Sequence, residues 1–383
     1  MKKGWQNKTL AEVCIVEKSQ GIHKGLPYVG LEQIEAHTGK FLGSTEPLAV
    51  KSSTFKFSPD HLLYGRLRPY LNKVMLPDFS GHCSTEIFPL KPCPGLSREF
   101  LQYWFLRDLT VEQIDATSTG ARMPRANMNT VLSFEFPLPP LPEQKRIVGI
   151  LDETFEGIAT AKANAEKNLE NARAIFDSHL QSVFTQRGDG WSERRLGEVY
   201  DVRDGTHDSP KYHSTGYPLI TSKNLKREGL SFDDVKLISK EDYSKINERS
   251  AVQKGDVLLA MIGTIGNPTL VTMEVNFAIK NVALFKIPAG QSGAFLKHYL
   301  DSGWVLSKMM KEAKGTTQKF VGLGYLRNFP IKIPPLDTQK NIVEEIDELC
   351  TETQCLESIY QQKLDALDAL KKSLLHQAFT GNL

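Results

Sequence analysis

The sequence predicts two mixed α+β (α/β) domains, each followed by a long helix, with the two helices paired as an antiparallel coiled coil about an approximate two-fold axis. Three observations predict this arrangement. The chain contains a duplication about half its length, it has two long stretches with helical spacing and no proline, and its remaining apolar runs are short and bounded by turn residues.

The duplication is read directly from paired segments. Trp5-Gln6-Asn7-Lys8-Thr9-Leu10-Ala11-Glu12-Val13 matches Trp191-Ser192-Glu193-Arg194-Arg195-Leu196-Gly197-Glu198-Val199 at Trp, Leu, Glu and Val. Phe100-Leu101-Gln102-Tyr103 answers to Phe295-Leu296-Lys297-His298. Phe136-Pro137 and the run from Pro139 to Val148 answer to Phe329-Pro330 and the run from Pro334 to Val343. Ser178 to Thr185 answers to Ser373 to Thr380. The implied boundaries are 1–139 and 188–334 for the globular domains, and 140–187 and 335–383 for the helical spacers.

Within the globular parts, Leu62-Leu63-Tyr64, Ile87 to Leu90, Val257 to Met261 and Val282 to Phe285 read as strands, because each is short, apolar and flanked by Gly, Pro, Asp or Ser. Phe100 to Leu109 and Phe295 to Met310 carry helical spacing. Trp5 and Trp191 read as core anchors at the domain edges. From Glu143 to Phe184 and from Thr338 to Phe379 there is no proline, and the only glycines are Gly149 and Gly157. The second stretch supports a heptad stripe of Ile346, Leu349, Thr353, Leu356, Tyr360, Lys363, Leu367, Leu370 and Leu374. The first follows Leu151, Thr154, Ile158, Ala161 and Ala165, then shifts near Asn168 and Leu169 before Ala172, Phe176 and Val183.

A helix of about 42 residues extends roughly 63 Å. A domain of ~150 residues has a radius of gyration near 15 Å, so its chain ends do not lie a whole helix length apart. The second domain joins the end of one long helix to the start of the next, and the helices are therefore expected to run antiparallel.

The 47 basic and 45 acidic residues leave a net charge of +2, so any nucleic-acid footprint must be local. Five cysteines (Cys14, Cys83, Cys93, Cys350, Cys355) with no Cys-x-x-Cys pair argue against a disulfide framework or zinc ribbon and fit a reducing cytoplasm. The basic start at Met1-Lys2-Lys3 leads into no apolar run, and stretches such as Val257 to Ile262 fall far short of the ~20 residues a membrane span needs. A soluble cytoplasmic protein is expected.

Enzyme readings find little support. The Pro-Pro pairs precede Leu instead of following an Asn or Asp that could grip a base for methyl transfer. Gly263-Thr264-Ile265-Gly266-Asn267-Pro268 lacks the lysine of a phosphate loop. Asp60, Asp78 and Glu86 lack a following catalytic lysine close to Glu86 to complete a nuclease cluster, and the second half keeps no counterpart set. No His/Cys set has metal-ligand spacing, so no metal site is expected.

Taken together, the duplicated Pro139-Pro140-Leu141-Pro142-Glu143-Gln144-Lys145-Arg146-Ile147-Val148 and Pro334-Pro335-Leu336-Asp337-Thr338-Gln339-Lys340-Asn341-Ile342-Val343, with Thr119-Gly120, Gly315-Thr316 and the terminal Phe-Thr pairs, resemble the specificity subunit of type I restriction-modification systems. The resemblance covers the whole chain. It implies two target-recognition domains that read an asymmetric, bipartite double-stranded DNA target, and a non-catalytic role. It implies two methyltransferase (modification) subunits and further restriction/translocase subunits as partners. S-adenosylmethionine, ATP and magnesium would be bound by those partners and not by this chain.

DNA readers need side chains that reach base edges and cations that hold phosphates. In the first domain the candidates are Arg66, Arg68, Tyr70 and Lys73, and Arg122, Arg125 and Asn127, all on short basic loops. In the second they are His207, Lys211 and Tyr212, then Thr221, Lys223 and Asn224 beside Ser222, and, after Gly315, Thr316, Thr317, Gln318 and Lys319, in the position equivalent to Gly120-Ala121-Arg122-Met123 in the first. Gln144, Lys145, Gln339 and Lys340 at the helix starts are candidates for subunit docking, or else are polar faces of the spacers. The competing reading is a scaffold whose duplicated domains bind protein and whose coiled coil is a passive strut.

Overall fold

A computed structural model describes residues 4–185, 190–316 and 318–383. They form two compact units, one built from 1–166 with 361–383 and the other from 167–360. Each unit holds one mixed α+β domain together with a segment of each of the two long helices, Leu141–Thr185 and Leu336–Thr380, both 45 residues long.

In the first unit, Cys14–Val16, Ile87–Pro92, Leu62–Gly65 and Val74–Met75 form a four-stranded antiparallel sheet in that order. A second sheet orders Gln20–Gly21, Thr54–Phe57, Gly81–Cys83 and Tyr28–Val29. Gln6–Thr9 pairs separately with Glu135–Leu138, tying the start of the domain to the strand that enters the first long helix. The strand expectations at Leu62 and Ile87 hold. The helix expected from Phe100 to Leu109 is two helices, Arg98–Leu106 and Asp108–Ala116, because Arg107 adopts an extended conformation between them. Ser97 caps the first, its hydroxyl accepting from the Phe100 amide, and the helix buries Phe100, Leu101, Trp104 and Phe105.

The second unit repeats this plan. Asp201–Asp204, Val282–Lys286, Val257–Ala260 and Gly266–Leu270 form the matching antiparallel sheet, and Ser192–Arg195 pairs with Pro330–Ile333. Its further sheet orders Lys236–Ile238, Tyr217–Ile220 and Ala278–Ile279, with the last pair parallel. The helix expected from Phe295 to Met310 is again broken, into Gly293–Asp301 and Gly303–Glu312 at the extended Ser302. Trp5 and Trp191 are half-buried against their respective cores, as expected.

Antiparallel pairing of the long helices is seen within each unit. Lys162 Nζ meets Asp368 at 2.8 Å and Arg146 Nη2 donates to the Leu383 carbonyl at 2.6 Å in the first. Arg173 Nε meets Glu357 at 3.0 Å, and His179 Nε2 meets Glu345 at 3.4 Å, in the second. Partner numbers fall as residue numbers rise, which only antiparallel helices allow. The seam expected on the first helix holds at Leu151, Ile158, Ala165 and Ala172, all buried. On the second Leu349 is half-buried, as expected, but from Leu356 onward every other position is displaced by one. Ile346 and Thr353 are buried and Tyr360, Leu367 and Leu374 half-buried, but Leu356, Lys363 and Leu370 are exposed, and Glu357, Leu364 and Lys371 take the inner place. A charged and an aromatic partner account for the shift at two of these: Glu357 pairs with Arg173, and the Lys371 ammonium lies over the Phe155 ring at 5.2 Å.

Candidate nucleic-acid interface

The two candidate loops of the first domain meet. Leu67 and Thr119 both bridge to Arg125, the Arg68 amide donates to the Pro124 carbonyl at 2.7 Å, and the Ala126 amide donates to the Arg66 carbonyl at 2.9 Å. Glu86 locks the junction through its side chain. One carboxylate oxygen accepts from Arg66 Nε at 2.9 Å and the other from Arg125 Nε and Nη2 at 2.9 Å. Glu86, set aside in the sequence as part of an unconvincing nuclease cluster, is thus the organising residue of the loop pair. Its signal was present only as a lone acid among arginines distant in sequence.

Around this lock, Arg68, Tyr70 and Arg122 are exposed. Arg68 adopts φ 51°, in the left-handed region that non-glycine residues rarely occupy. Two other candidates are engaged within the protein. Lys73 Nζ donates to the carbonyls of Leu31 and Ile34 at 2.5 and 2.9 Å, and the Asn127 side chain caps the helix Met128–Leu132 by accepting from the amides of Asn129 and Thr130. Their polarity serves the local fold, and neither side chain is free to leave without a loss of hydrogen bonds.

The second domain builds the same backbone junction from other side chains. Ile262 and Lys314 bridge to Phe320, the Gly263 amide donates to the Lys319 carbonyl at 2.9 Å, and the Val321 amide donates to the Met261 carbonyl at 3.0 Å. Strand register extends the correspondence: Tyr64 faces Phe88 as Leu259 faces Ala283, and Gly65 faces Ile87 as Ala260 faces Val282. Met261, Asn281, Ala283 and Phe320 therefore stand where the first domain has Arg66, Glu86, Phe88 and Arg125. Gly120 and Gly315 open the equivalent loops at φ 96° and 99°, and a Cβ at Gly315 would sit 2.2 Å from the Gln318 carbonyl oxygen, so this turn requires glycine.

Three candidate segments of the second domain surround one open cavity of about 690 Å³, which is lined by Tyr212, Thr221, Lys223, Asn224 and Gln318 together with Asn281. Lys223 and Gln318 are exposed on its rim. Asn224 is buried, accepting from the Thr221 amide and hydroxyl at 3.0 Å each and donating to the Ser231 carbonyl, so it holds the segment in shape. His207 is held between Asp204 and Asn281, its Nε2 at 2.9 Å from one and its Nδ1 at 2.8 Å from the other. Lys211, Thr316 and Lys319 are exposed; Thr317 lies outside the described residues.

The helix starts divide into an inner and an outer residue. Gln144 is buried, its Oε1 accepting from the Ser97 amide and its Nε2 donating to the Gly95 and Pro139 carbonyls, each at 2.8 Å. Gln339 repeats this with the Ser292 amide, the Pro334 carbonyl and the Gln291 side chain. Both amides are saturated inside their own unit, which does not fit the expectation that they face a docking partner. Lys145 and Lys340 are exposed beside them. About two turns further along, Tyr103 donates to Asp152 and His298 Nε2 lies 2.8 Å from Asp347 at the equivalent place. Burial lowers the His298 pKa from its ordinary 6.5, with Lys297 adding and Asp347 opposing, and its Nδ1 is buried with no partner among the described residues.

The two domains of this duplicated α+β scaffold thus keep one backbone junction and exchange its side chains. The chain belongs to the family of the type I restriction modification DNA specificity domain, whose model matches residues 2–171 and 188–364. It is similar to the type I restriction enzyme EcoDI specificity subunit of Escherichia coli, 27% identical over 46% of this chain and 39% of that one. It is also similar to the EcoBI specificity subunit of Escherichia coli, 23% identical over 70% of this chain and 63% of that one. The aligned part thus spans less than two thirds of either relative. The HsdS subunit from Thermoanaerobacter tengcongensis shares the fold, with a TM-score of 0.70 and 21% identity over 100% of this chain and 98% of that one. Among the described residues, no helix is long and apolar enough to cross a membrane.

Proposed function

We propose that this chain is the DNA-sequence-specificity subunit of a type I restriction-modification complex, binding an asymmetric bipartite target with one domain on each half-site. The observation that carries the reading is the retained junction with exchanged side chains. Arg66 and Arg125 in one domain stand where Met261 and Phe320 stand in the other, so the two domains present different chemistry to a duplex. Exposed Arg68 and Arg122 in the first domain, and Lys211, Lys223 and Lys319 in the second, supply cations for phosphates around each reading surface.

The chain is read as non-catalytic and intracellular. Two methyltransferase subunits and the restriction/translocase subunits would dock on it, with Lys145 and Lys340 at the helix starts as docking residues. The exposed Leu356 and Ile359 on the second long helix offer apolar contact for the same purpose. S-adenosylmethionine, ATP and magnesium would be held by those partners.

The test is equilibrium binding of labelled duplex by the full chain together with its methyltransferase partner, over a salt series. Tight binding to a subset of duplexes, falling steeply with salt, is expected. Binding that ignores both duplex sequence and salt would leave a protein-binding scaffold as the better reading.

A further inference from the structure

We infer that Arg66 is a guanine-reading residue of the first domain, and that Glu86, Arg125 and Phe88 are positioning residues that fix its guanidinium. The inference rests on the DNA-reading function proposed above and adds a residue and a base to it.

Three contacts define the Arg66 side chain. Its Nε donates to one oxygen of Glu86 at 2.9 Å, its guanidinium carbon lies 5.1 Å from the centroid of the buried Phe88 ring, and Glu86 is itself anchored by Arg125 through the other oxygen. Both carboxylate oxygens are engaged, so the Arg66, Glu86 and Arg125 triad keeps one net positive charge, and Lys18 Nζ lies over the same Phe88 ring at 4.3 Å. The two terminal nitrogens of Arg66 have no partner among the described residues, and the side chain is 32% exposed. Arg125 differs, since its Nε and Nη2 are directed to Glu86 and its Nη1 lies 3.4 Å from the Met123 carbonyl.

A guanidinium held at Nε, with both Nη groups open, presents two parallel donors and no acceptor. In the major groove only guanine offers two acceptors, O6 and N7, on one base edge; adenine pairs an acceptor with a donor, and a double donor leaves that donor opposed. Phosphate also accepts a double donor, but the neighbouring Arg68 and Arg122 are more exposed and have no described side-chain partner, the state suited to following a backbone. Arg66 is recessed and fixed, the state suited to discriminating one base. The second domain supports the assignment by lacking the whole set. Met261, Asn281, Ala283 and Phe320 occupy the four positions, so that domain reads its half-site by other means.

The test selects bound molecules from a pool of random-sequence duplexes with the full chain and its methyltransferase partner, and sequences them, for wild type, R66K and E86Q. R66K keeps the charge and leaves Glu86 and Arg125 paired, yet an ammonium cannot make the parallel fork. The expected result is a bipartite wild-type target in which a single G·C pair of one half-site becomes degenerate in R66K, with a loss of discrimination of roughly 5- to 150-fold. E86Q should relax the same pair without weakening binding to unrelated duplex, since it removes a negative charge. If R66K returns the wild-type target unchanged, or binds every duplex more weakly by one factor with no change of preference, Arg66 reads no base and the inference fails alone. A wild-type complex that selects no sequence removes the specificity reading itself.

Discussion

Phe379, near the end of the second long helix, packs on Phe100 of the first domain with ring centroids 4.7 Å apart. Its counterpart Phe184, near the end of the first long helix, packs on Phe295 of the second domain at 5.5 Å. Each domain's core is therefore closed by the end of the helix that follows the other domain in the sequence.

Removing either ring opens a cavity in one core. Phe379→Ala should destabilise the first unit by about 3–5 kcal/mol, and Phe184→Ala the second by a similar amount. Hydrogen exchange of backbone amides under native conditions checks this: protection should fall for residues around Phe100 in the first variant and around Phe295 in the second. Equal loss in both units from one substitution would contradict it.

His298 gives the second unit a sensitivity to acid that the first lacks at Tyr103. The folded state binds the His298 proton less tightly than the unfolded chain does, because burial, with Lys297, outweighs the pull of Asp347. The associated stabilisation is complete above the ordinary histidine value of 6.5 and is lost as pH falls from there towards the lowered folded value. His298→Gln keeps an N–H for Asp347 but does not titrate. The stability of the wild type relative to this variant should decline across that window when unfolding is followed as a function of pH.

Arg68 holds a left-handed conformation at the place where the second domain has Gly263, at φ 78°. Arg68→Gly and Arg68→Ala both remove the charge, but only glycine relieves the backbone. The glycine variant should be more stable than the alanine variant by about 1 kcal/mol, and both should bind duplex less tightly with a shallower salt dependence. Denaturant unfolding and duplex titration of the pair separate the two effects.

The long helices, the strands at Leu62, Ile87, Val257 and Val282, and the antiparallel pairing were legible in the sequence, because periodicity, turn residues and helix length each report a local constraint. The helix break at Arg107 was not, since no breaker stands there; the break at Ser302 was signalled by the pair Ser302-Gly303, an N-cap residue followed by glycine. The inner face of the second helix was misplaced by one position because Leu356 and Leu370 look like seam residues while Glu357 and Lys371 do not; the long polar side chains are drawn inward by Arg173 and Phe155. At the interface, the loops were legible as basic and glycine-punctuated. The division of Arg66, Lys73, Asn127 and Asn224 between outward and inward roles depends on partners far away in sequence, such as Glu86 and the carbonyls of Leu31 and Ile34, which no local pattern reveals.

Whether one chain reads two unlike half-sites is decided by mapping methylated positions in the DNA of cells that express this chain with its methyltransferase. The expected result is one motif made of two dissimilar specified segments separated by a fixed stretch of unspecified base pairs. A continuous motif, or two identical half-sites, would contradict it.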